Sequence, residues 1–265
     1  MIHILGINGM LGNCVYSYLN RQYDCKGYTR SEFDVLEDIV RLDKLNVCEN
    51  DVVVNCIGVI KPQIEKIGET NSFIINSYFP NVLADHCENK KAKLIHITTD
   101  CVYSGKTGNY DENSLSDQFD TYGLSKKLGE PNNCCVIRTS IIGEEKHTKR
   151  SLVEWIKSNS GKEIKGFTDH LWNGVTCLEL SKIIEKIIHQ NLFWSGVRHI
   201  YSPNSVSKFE LLNLINQVYD LDIKIAPVTS GSYCDRTLCS VHYTSSELCS
   251  KEIKEQIDEM KKHDS

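Results

Sequence analysis

Positive charge is not in excess in this chain: 30 lysines and arginines face 35 aspartates and glutamates, a net charge of −5. A surface of that sign gives no electrostatic attraction for nucleic acid or for an anionic membrane. Also missing is any apolar run near the roughly 20 residues that cross a bilayer as a helix. The N-terminus passes straight into IHILGI with no charged segment or cleavage site before it, so a cytoplasmic protein is expected. The 12 cysteines include no C-x-x-C spacing, which spells out neither a zinc knuckle nor a redox pair, and no metal centre is expected. Cys56, Cys134 and Cys135 stand in apolar runs, where a thiol acts as a small hydrophobe, as fits a reducing compartment. No repeat or low-complexity stretch interrupts the 265 residues, and 40% of them are hydrophobic, enough for a sizeable core.

What is present begins at the first residues. The run 2–7 has the pattern of a strand buried on both faces. Gly6-Ile7-Asn8-Gly9-Met10-Leu11-Gly12 follows, then an amphipathic stretch to about Arg21. Strand, glycine turn and helix in that order form a nucleotide-binding unit, in which a pyrophosphate meets backbone N–H groups at the helix start. A second strand, 25–29, ends at Arg30-Ser31. An acidic residue there suits the ribose hydroxyl of NAD, whereas Arg30 suits a 2′-phosphate with Ser31 beside it, so NADP(H) is expected over NAD(H). Asp34 and Val35 lie where an adenine contact is expected. A third strand, 51–58, closes on Cys56-Ile57-Gly58, where the chain passes close to the cofactor. A helix over 71–89, kinked or broken at Pro80, a strand over 92–99, a helix from Tyr122 to near Pro131 and a strand over 134–138 complete a β-α alternation. That alternation predicts an α/β fold with a doubly wound parallel sheet.

The stretch 94–126 carries the chemistry. A strand ends in Thr98-Thr99, and Tyr122 opens a helix with Lys126 one turn later. A hydroxyl at a strand end with a Tyr and a Lys on one helix face can protonate a carbonyl as hydride arrives. Thr99 would orient the carbonyl, Tyr122 would be the general acid, and Lys126 would lower the phenol pKa and hold the nicotinamide ribose. With 12 tyrosines among 265 residues, Y-x-x-x-K arises by chance about once, so the joint spacing with the glycine turn is the signal. Beyond Gly143 the alternation loosens. Helices are expected over 151–158 and 207–219, each with a Ser and a Glu three residues later as a capping box, and over 177–190 and 245–262. Strands are expected over 197–201 and 223–228.

These motifs resemble the extended short-chain dehydrogenase/reductases: the glycine turn, T-T-D, Y-x-x-x-K, and R-T-S at Arg138-Thr139-Ser140. More narrowly, ITTDCVYSG, YGLSKKLGE, VIRTSIIG and the WNGVT-helix order are similar to the dTDP-4-dehydrorhamnose reductase family, over nearly the whole chain. The resemblance implies a Rossmann-type sheet with a smaller C-terminal substrate-binding lobe. Residues 1–143 and 174–202 would hold NADP(H), and 144–173 and 203–265 a nucleotide sugar. It also implies that the 138–141 backbone, ending at Ile141, meets the nicotinamide carboxamide. Asp100, Tyr103 and Ser104 would border the sugar, Trp172 and Asn173 the sugar or nucleotide, and Arg236 the diphosphate. Family members often form homodimers.

Cys101 departs from the aromatic residue that many of these reductases carry. Cysteine there resembles GDP-fucose synthase and the bifunctional UDP-4-keto-6-deoxyglucose 3,5-epimerase/4-reductases, in which a thiol takes part in epimerisation. A 4-keto group acidifies the protons at C3 and C5, so a donor and a base near the sugar invert both centres before reduction. Cys101 would be the donor. Lys157 is the base by resemblance, with His147 and His170 as rivals. Reduction alone is the alternative. A cofactor-binding subunit without catalysis, as in the methionine adenosyltransferase complex, is a third reading, against which the intact Thr99/Tyr122/Lys126 set argues. A redox-neutral 4-epimerase or dehydratase would usually carry an acidic residue where Arg30 stands.

Overall fold

The computed structural model describes residues 1–145, 149 and 151–264, the last by its backbone alone. Strands β1 (Ile2–Leu5), β2 (Cys25–Tyr28), β3 (Val52–Asn55), β4 (Lys93–Thr99) and β5 (Cys135–Thr139) join the strand Gly196–His199 in one sheet. Its order is Gly196–His199, β5, β4, β3, β1, β2, with every pairing parallel. Strands such as IHIL and VVVN are apolar without alternation because both faces of the sheet are covered. Ile2, Ile4, Val52, Val54, Ile95 and Ile137 pack on one side with helix α1 (Met10–Leu19) and the helix Cys177–His189. Leu5, Val53, Leu94 and Val136 turn the other way, against Phe79, Leu83 and Cys87. The chain leaves β1 for β2 on one side and returns to β3 on the other. That reversal is where open sheets of this kind bind ligands, outside the carboxyl ends of the strands.

Two connections differ from expectation. Between β2 and β3 there is no full helix, only a four-residue helix, Val35–Asp38, and a 3-10 turn, Leu42–Leu45. Asn46 and Asn50 take left-handed backbone conformations there, which stop helical propagation. The stretch expected to be helical over 71–89 starts at Glu69 and is interrupted by a π turn at Ile74–Tyr78, where the Phe79 N–H returns to the Ile74 carbonyl. Pro80 has no N–H for the Asn76 carbonyl, and Gly129 packs there instead, so closely that a Cβ on it would lie 1.8 Å from Asn76 O.

The later part of the chain builds smaller sheets. Val206–Ser207 and Cys234–Asp235 flank His170–Trp172, and Glu163–Phe167 pairs with Lys224–Val228. With the helices Leu152–Lys157, Lys208–Tyr219 and Ile253–Asp264 they enclose a core that includes Val153, Ile156, Leu211, Ile215 and Ile257. Ser151, Thr176 and Ser207 cap three helices by accepting the N–H of Glu154, Glu179 and Glu210, and the capping box at Ser207 is complete. The helix expected over 245–262 is two, Thr244–Leu248 and Ile253–Asp264. Cys249 between them is extended, and Asn204 Oδ1 accepts the Ile253 N–H to start the second. Among the described residues no helix is long and apolar enough to cross a membrane.

Candidate active site

A cleft opens at the sheet's reversal, lined by Gly6, Asn8, Gly9, residues 28–30, 33–35 and 56–59. At the glycine turn its wall is backbone. Gly6 has φ +82°, a conformation open chiefly to glycine, and a Cβ on Gly12 would lie 2.2 Å from the Gly6 carbonyl oxygen. Glycine at both positions lets α1 pack directly on the turn. Gly9 caps α1, and its first turn carries neither a capping side chain nor an acidic residue. The open N–H groups and positive dipole end suit a diphosphate. Met10 turns its side chain into a separate hollow with Asn13, Cys14 and Glu144, and Leu11 and Gly12 are buried. These three contribute backbone alone at the turn. At the rim Arg30 is 72% exposed, and its Nε donates to Asp34 Oδ2 at 2.7 Å. Arg30 and Asp34, read from sequence as separate contacts, therefore form one ion pair, while Val35 lines the cleft behind them. Ser31 pairs with the Thr29 hydroxyl at 2.8 Å and stays outside the lining.

Next to this cleft, β4 ends at Thr99. Its Oγ1 accepts the Cys101 N–H at 3.1 Å, starting a 3-10 turn over Asp100–Val102, and donates to Asp100 Oδ1 at 3.2 Å. The helix Thr121–Leu128 begins at Asp120, whose carboxylate accepts the Gly123 N–H at 2.7 Å. A Cβ on Gly123 would lie 2.7 Å from the Cys101 carbonyl oxygen, so only glycine lets this helix rest on the turn. That packing brings Tyr122 within hydrogen-bonding reach of Thr99 and within electrostatic range of Cys101 and Asp100. Lys126 is buried, and its Nζ donates to the Ile97 carbonyl at 3.0 Å. A Cβ on Gly58 would be 3.6 Å from that same Nζ, so the lysine also reaches that first cleft.

Burial pulls the Lys126 pKa down to about 8 against the pull of Glu130. Burial also raises the Tyr122 phenol above its ordinary value, and Thr99 opposes the shift. Burial thus sets the direction of the phenol's shift, and the Lys126 ammonium is engaged by the Ile97 carbonyl. Sequence reasoning missed Asn76. Its Oδ1 accepts the Val59 N–H at 2.8 Å, and its Nδ2 donates to Val59 O at 3.0 Å and to Ser125 Oγ at 3.1 Å. The π turn aims this amide between the cofactor cleft and the Tyr122 helix, and only Pro80, four residues on, hints at it in the sequence.

On the far side of Tyr122, parts distant in sequence converge. A Cβ on Gly105 would meet Cys234 Sγ at 2.7 Å, and one on Gly108 would meet Asp235 Oδ2 at 2.0 Å. These glycines let the strand Cys234–Asp235 dock on the turn after β4. Arg236 then donates from Nε to the Tyr103 carbonyl at 2.9 Å and places Nη1 3.9 Å from Cys101 Sγ. Burial, then the charge of Asp100, pushes the Cys101 thiol up to about 12, so it is a neutral S–H at physiological pH. Asp100 is buried too, and desolvation raises its pKa against the pull of Arg236 and Lys208. Lys208, the first residue of its helix, stands over the Trp172 ring at 5.3 Å. No sequence motif marks it, although a cation directly after an N-cap opposes the helix dipole and is a signal in itself.

Several expected contacts go elsewhere. Tyr103 is fully buried, stacks on Tyr110 at 4.2 Å and donates its hydroxyl to Asp111 O at 2.9 Å, so it belongs to the core rather than a sugar wall. The Ser104 hydroxyl is taken by Asp117. Asn173 spends its amide on both backbone groups of Leu238, at 2.8 and 2.9 Å, and Trp172 is buried in the core of the later sheets. Lys157 is caged by Glu144 at 2.7 Å, Glu154 at 3.6 Å and the Tyr219 ring at 4.4 Å. His170 is held by Ser230 at 2.9 Å, and His147 lies outside the described residues. Ile141 pairs with Val175, while the Arg138 side chain turns into the core to pair with Glu130 at 2.6 Å.

The family described as the RmlD substrate binding domain matches this chain over residues 1–259. The chain belongs to that family. Among RmlD-type relatives, a dTDP-4-keto-6-deoxy-D-glucose reductase of Streptomyces niveus is 21% identical over 86% of this chain and 82% of its own. Subunit beta of methionine adenosyltransferase 2 from Danio rerio is 28% identical, over 82% of this chain and 73% of its own. A Bacillus anthracis dTDP-4-dehydrorhamnose reductase, solved in complex with NADP, superposes with a TM-score of 0.82 at 21% identity, covering 100% of this chain and 99% of that one. The fold is thus that of the RmlD reductases.

Proposed function

We propose that this protein reduces the 4-keto group of a 6-deoxy nucleotide sugar with NADPH, and that the same site first inverts C3 and C5. The observation that carries the reading is the packing of Gly123 on the Cys101 carbonyl, which gathers Thr99, Cys101 and Tyr122 around one point. The residues fit a nicotinamide dinucleotide: an uncapped helix start behind two close-packed glycines takes the diphosphate, and Arg30 at the rim meets a 2′-phosphate in place of Asp34. When bound, that cofactor supplies hydride. The chain's own residues do the rest. Thr99 orients the ketone oxygen, Tyr122 delivers the proton to it, and Lys126 holds the nicotinamide ribose and keeps a positive charge behind the phenol. A phenol with a raised pKa is fully protonated before the reaction, as a general acid must be. Cys101, likewise neutral, stands ready to protonate carbon. The dinucleotide falls to 1–143 and 174–202, and the sugar nucleotide to the remaining segments.

The test is to incubate purified protein with NADPH and dTDP- or UDP-4-keto-6-deoxyglucose and to determine the configuration of the product. A rhamnose product with no added epimerase is expected, with NADPH used faster than NADH. A product retaining the original C3 and C5 configuration reduces the reading to a ketoreductase. No consumption of NADPH with any 4-keto nucleotide sugar leaves the cofactor-binding subunit, the reading that the similarity to the methionine adenosyltransferase subunit favours.

A further inference from the structure

The cation cluster beside Cys101 contains one group that the reductive chemistry does not use. Lys208 Nζ has no hydrogen bond or ion pair among the described residues; its one recorded contact is the face of the Trp172 ring, 5.3 Å away. Four groups lie within electrostatic range of it: Asp100, Cys101, Cys234 and Arg236. A half-buried lysine with no hydrogen-bonding partner, held over a ring within electrostatic range of Cys101, is costly unless its amine is used. By contrast, Lys157, the lysine that sequence resemblance nominates, is neutralised by two glutamates.

We propose that Lys208, paired with Cys101, is the base that removes the sugar protons next to the ketone; this rests on the epimerisation reading above. Neutral Nζ takes the C–H proton, the C–H electron pair becomes the C–C π bond, and the carbonyl π pair moves onto oxygen. The resulting enolate oxygen is held by the Thr99 and Tyr122 hydroxyls. The Cys101 S–H then returns a proton to the same carbon from the other face, leaving a thiolate and an ammonium. The Arg236 guanidinium, 3.9 Å from Sγ, stabilises that thiolate. The ammonium releases its proton to solvent and the thiolate takes one up, so the pair is reset for the second carbon. Burial, with Arg236 assisting, lowers the Lys208 pKa, which favours the free amine that the step requires.

The test uses protein loaded with NADP⁺, so that no reduction intervenes, and the 4-keto nucleotide sugar in heavy water. Wild type is expected to wash deuterium into C3 and C5, followed by mass spectrometry. Lys208→Arg keeps the cation but cannot act as a base, since guanidinium stays protonated. Its exchange rate is expected to fall about a hundredfold or more, with the affinity for the ketone changed far less. Lys208→Gln should lose exchange to the same degree, with NADP⁺ binding as the measure that each variant is folded. Lys157→Met should exchange at the wild-type rate. Wild-type exchange in a folded Lys208→Arg protein overturns the assignment, as does a loss confined to Lys157→Met. A wild type that consumes NADPH with the ketone yet never exchanges removes the epimerisation reading itself, and this assignment with it.

Discussion

The two sides of the Tyr122 helix are made of different materials. At the glycine turn of the first cleft the contact surface is main chain: Gly6 and Gly12 in contact, the open start of α1, and the Asn55–Gly58 backbone held by an amide. On the other side stand ionisable side chains, Asp100, Cys101, Lys208 and Arg236, drawn together from three separate parts of the chain. Main chain makes a fixed cradle for a ligand whose diphosphate never changes. A cluster of side chains has titratable states, and it can be altered residue by residue without disturbing the sheet. Permanence belongs to the glycine-lined side and chemical choice to the side of ionisable groups.

Tyr122→Phe removes the proposed acid where the two sides meet. It is expected to lower turnover by about 10²–10⁴-fold while NADP⁺ titration remains as in wild type; a variant reducing ketone at the wild-type rate would break the assignment. Gly12→Ala strikes the cradle alone. Its Cβ would lie 2.2 Å from a main-chain oxygen that cannot step aside, so overpacking of about 1–3 kcal/mol is expected. Calorimetry should register it as weaker NADP⁺ binding together with a lower Tm, and unchanged values for both would mean that the turn is looser than its contacts imply.

The smallest effect is a slope. Because burial holds the Lys126 pKa near 8, the unfolded chain keeps a proton that the folded chain has released between about pH 8 and the ordinary lysine value of 10.5. Stability therefore rises with pH across that window from this group, and the cost of burying the ammonium is greatest below it. Urea unfolding of wild type and Lys126→Met at several pH values isolates the contribution. The difference between them should move in favour of wild type by up to about 1.4 kcal/mol per pH unit; a difference independent of pH would show that Lys126 is not desolvated.

The same division explains what could be read in advance. Gly6 to Gly12, β4 with Thr99, and Tyr122 with Lys126 are each contained in one element or one turn, so spacing alone reveals them. Lys208 and Arg236 lie more than 100 residues beyond Cys101 in the chain, and only the docking of Cys234–Asp235 against Gly105 and Gly108 brings them in. Tyr103 misled because nearness in sequence to Cys101 does not fix direction: the 3-10 turn over Asp100–Val102 sends its ring inward. Lys157 misled because its nearest acidic partner, Glu144, comes from outside its helix and joins Glu154 of the same helix to cage it. The break at Pro80 was visible, but not that it would take the form of a π turn carrying Asn76.

That turn has one further consequence. One residue more than an α-helical repeat shifts the phase of everything after it by about 100°, since each residue rotates the helix by that amount. The turn itself thus lines the dinucleotide cleft with Ile75 while the segment after it buries Phe79 and Leu83 under the sheet. A single-residue deletion at 74–78 would leave every side chain of the later segment chemically intact but facing the wrong way. The turn works as a phase shifter, letting one continuous rod serve two surfaces that a regular helix of the same length would hold out of alignment.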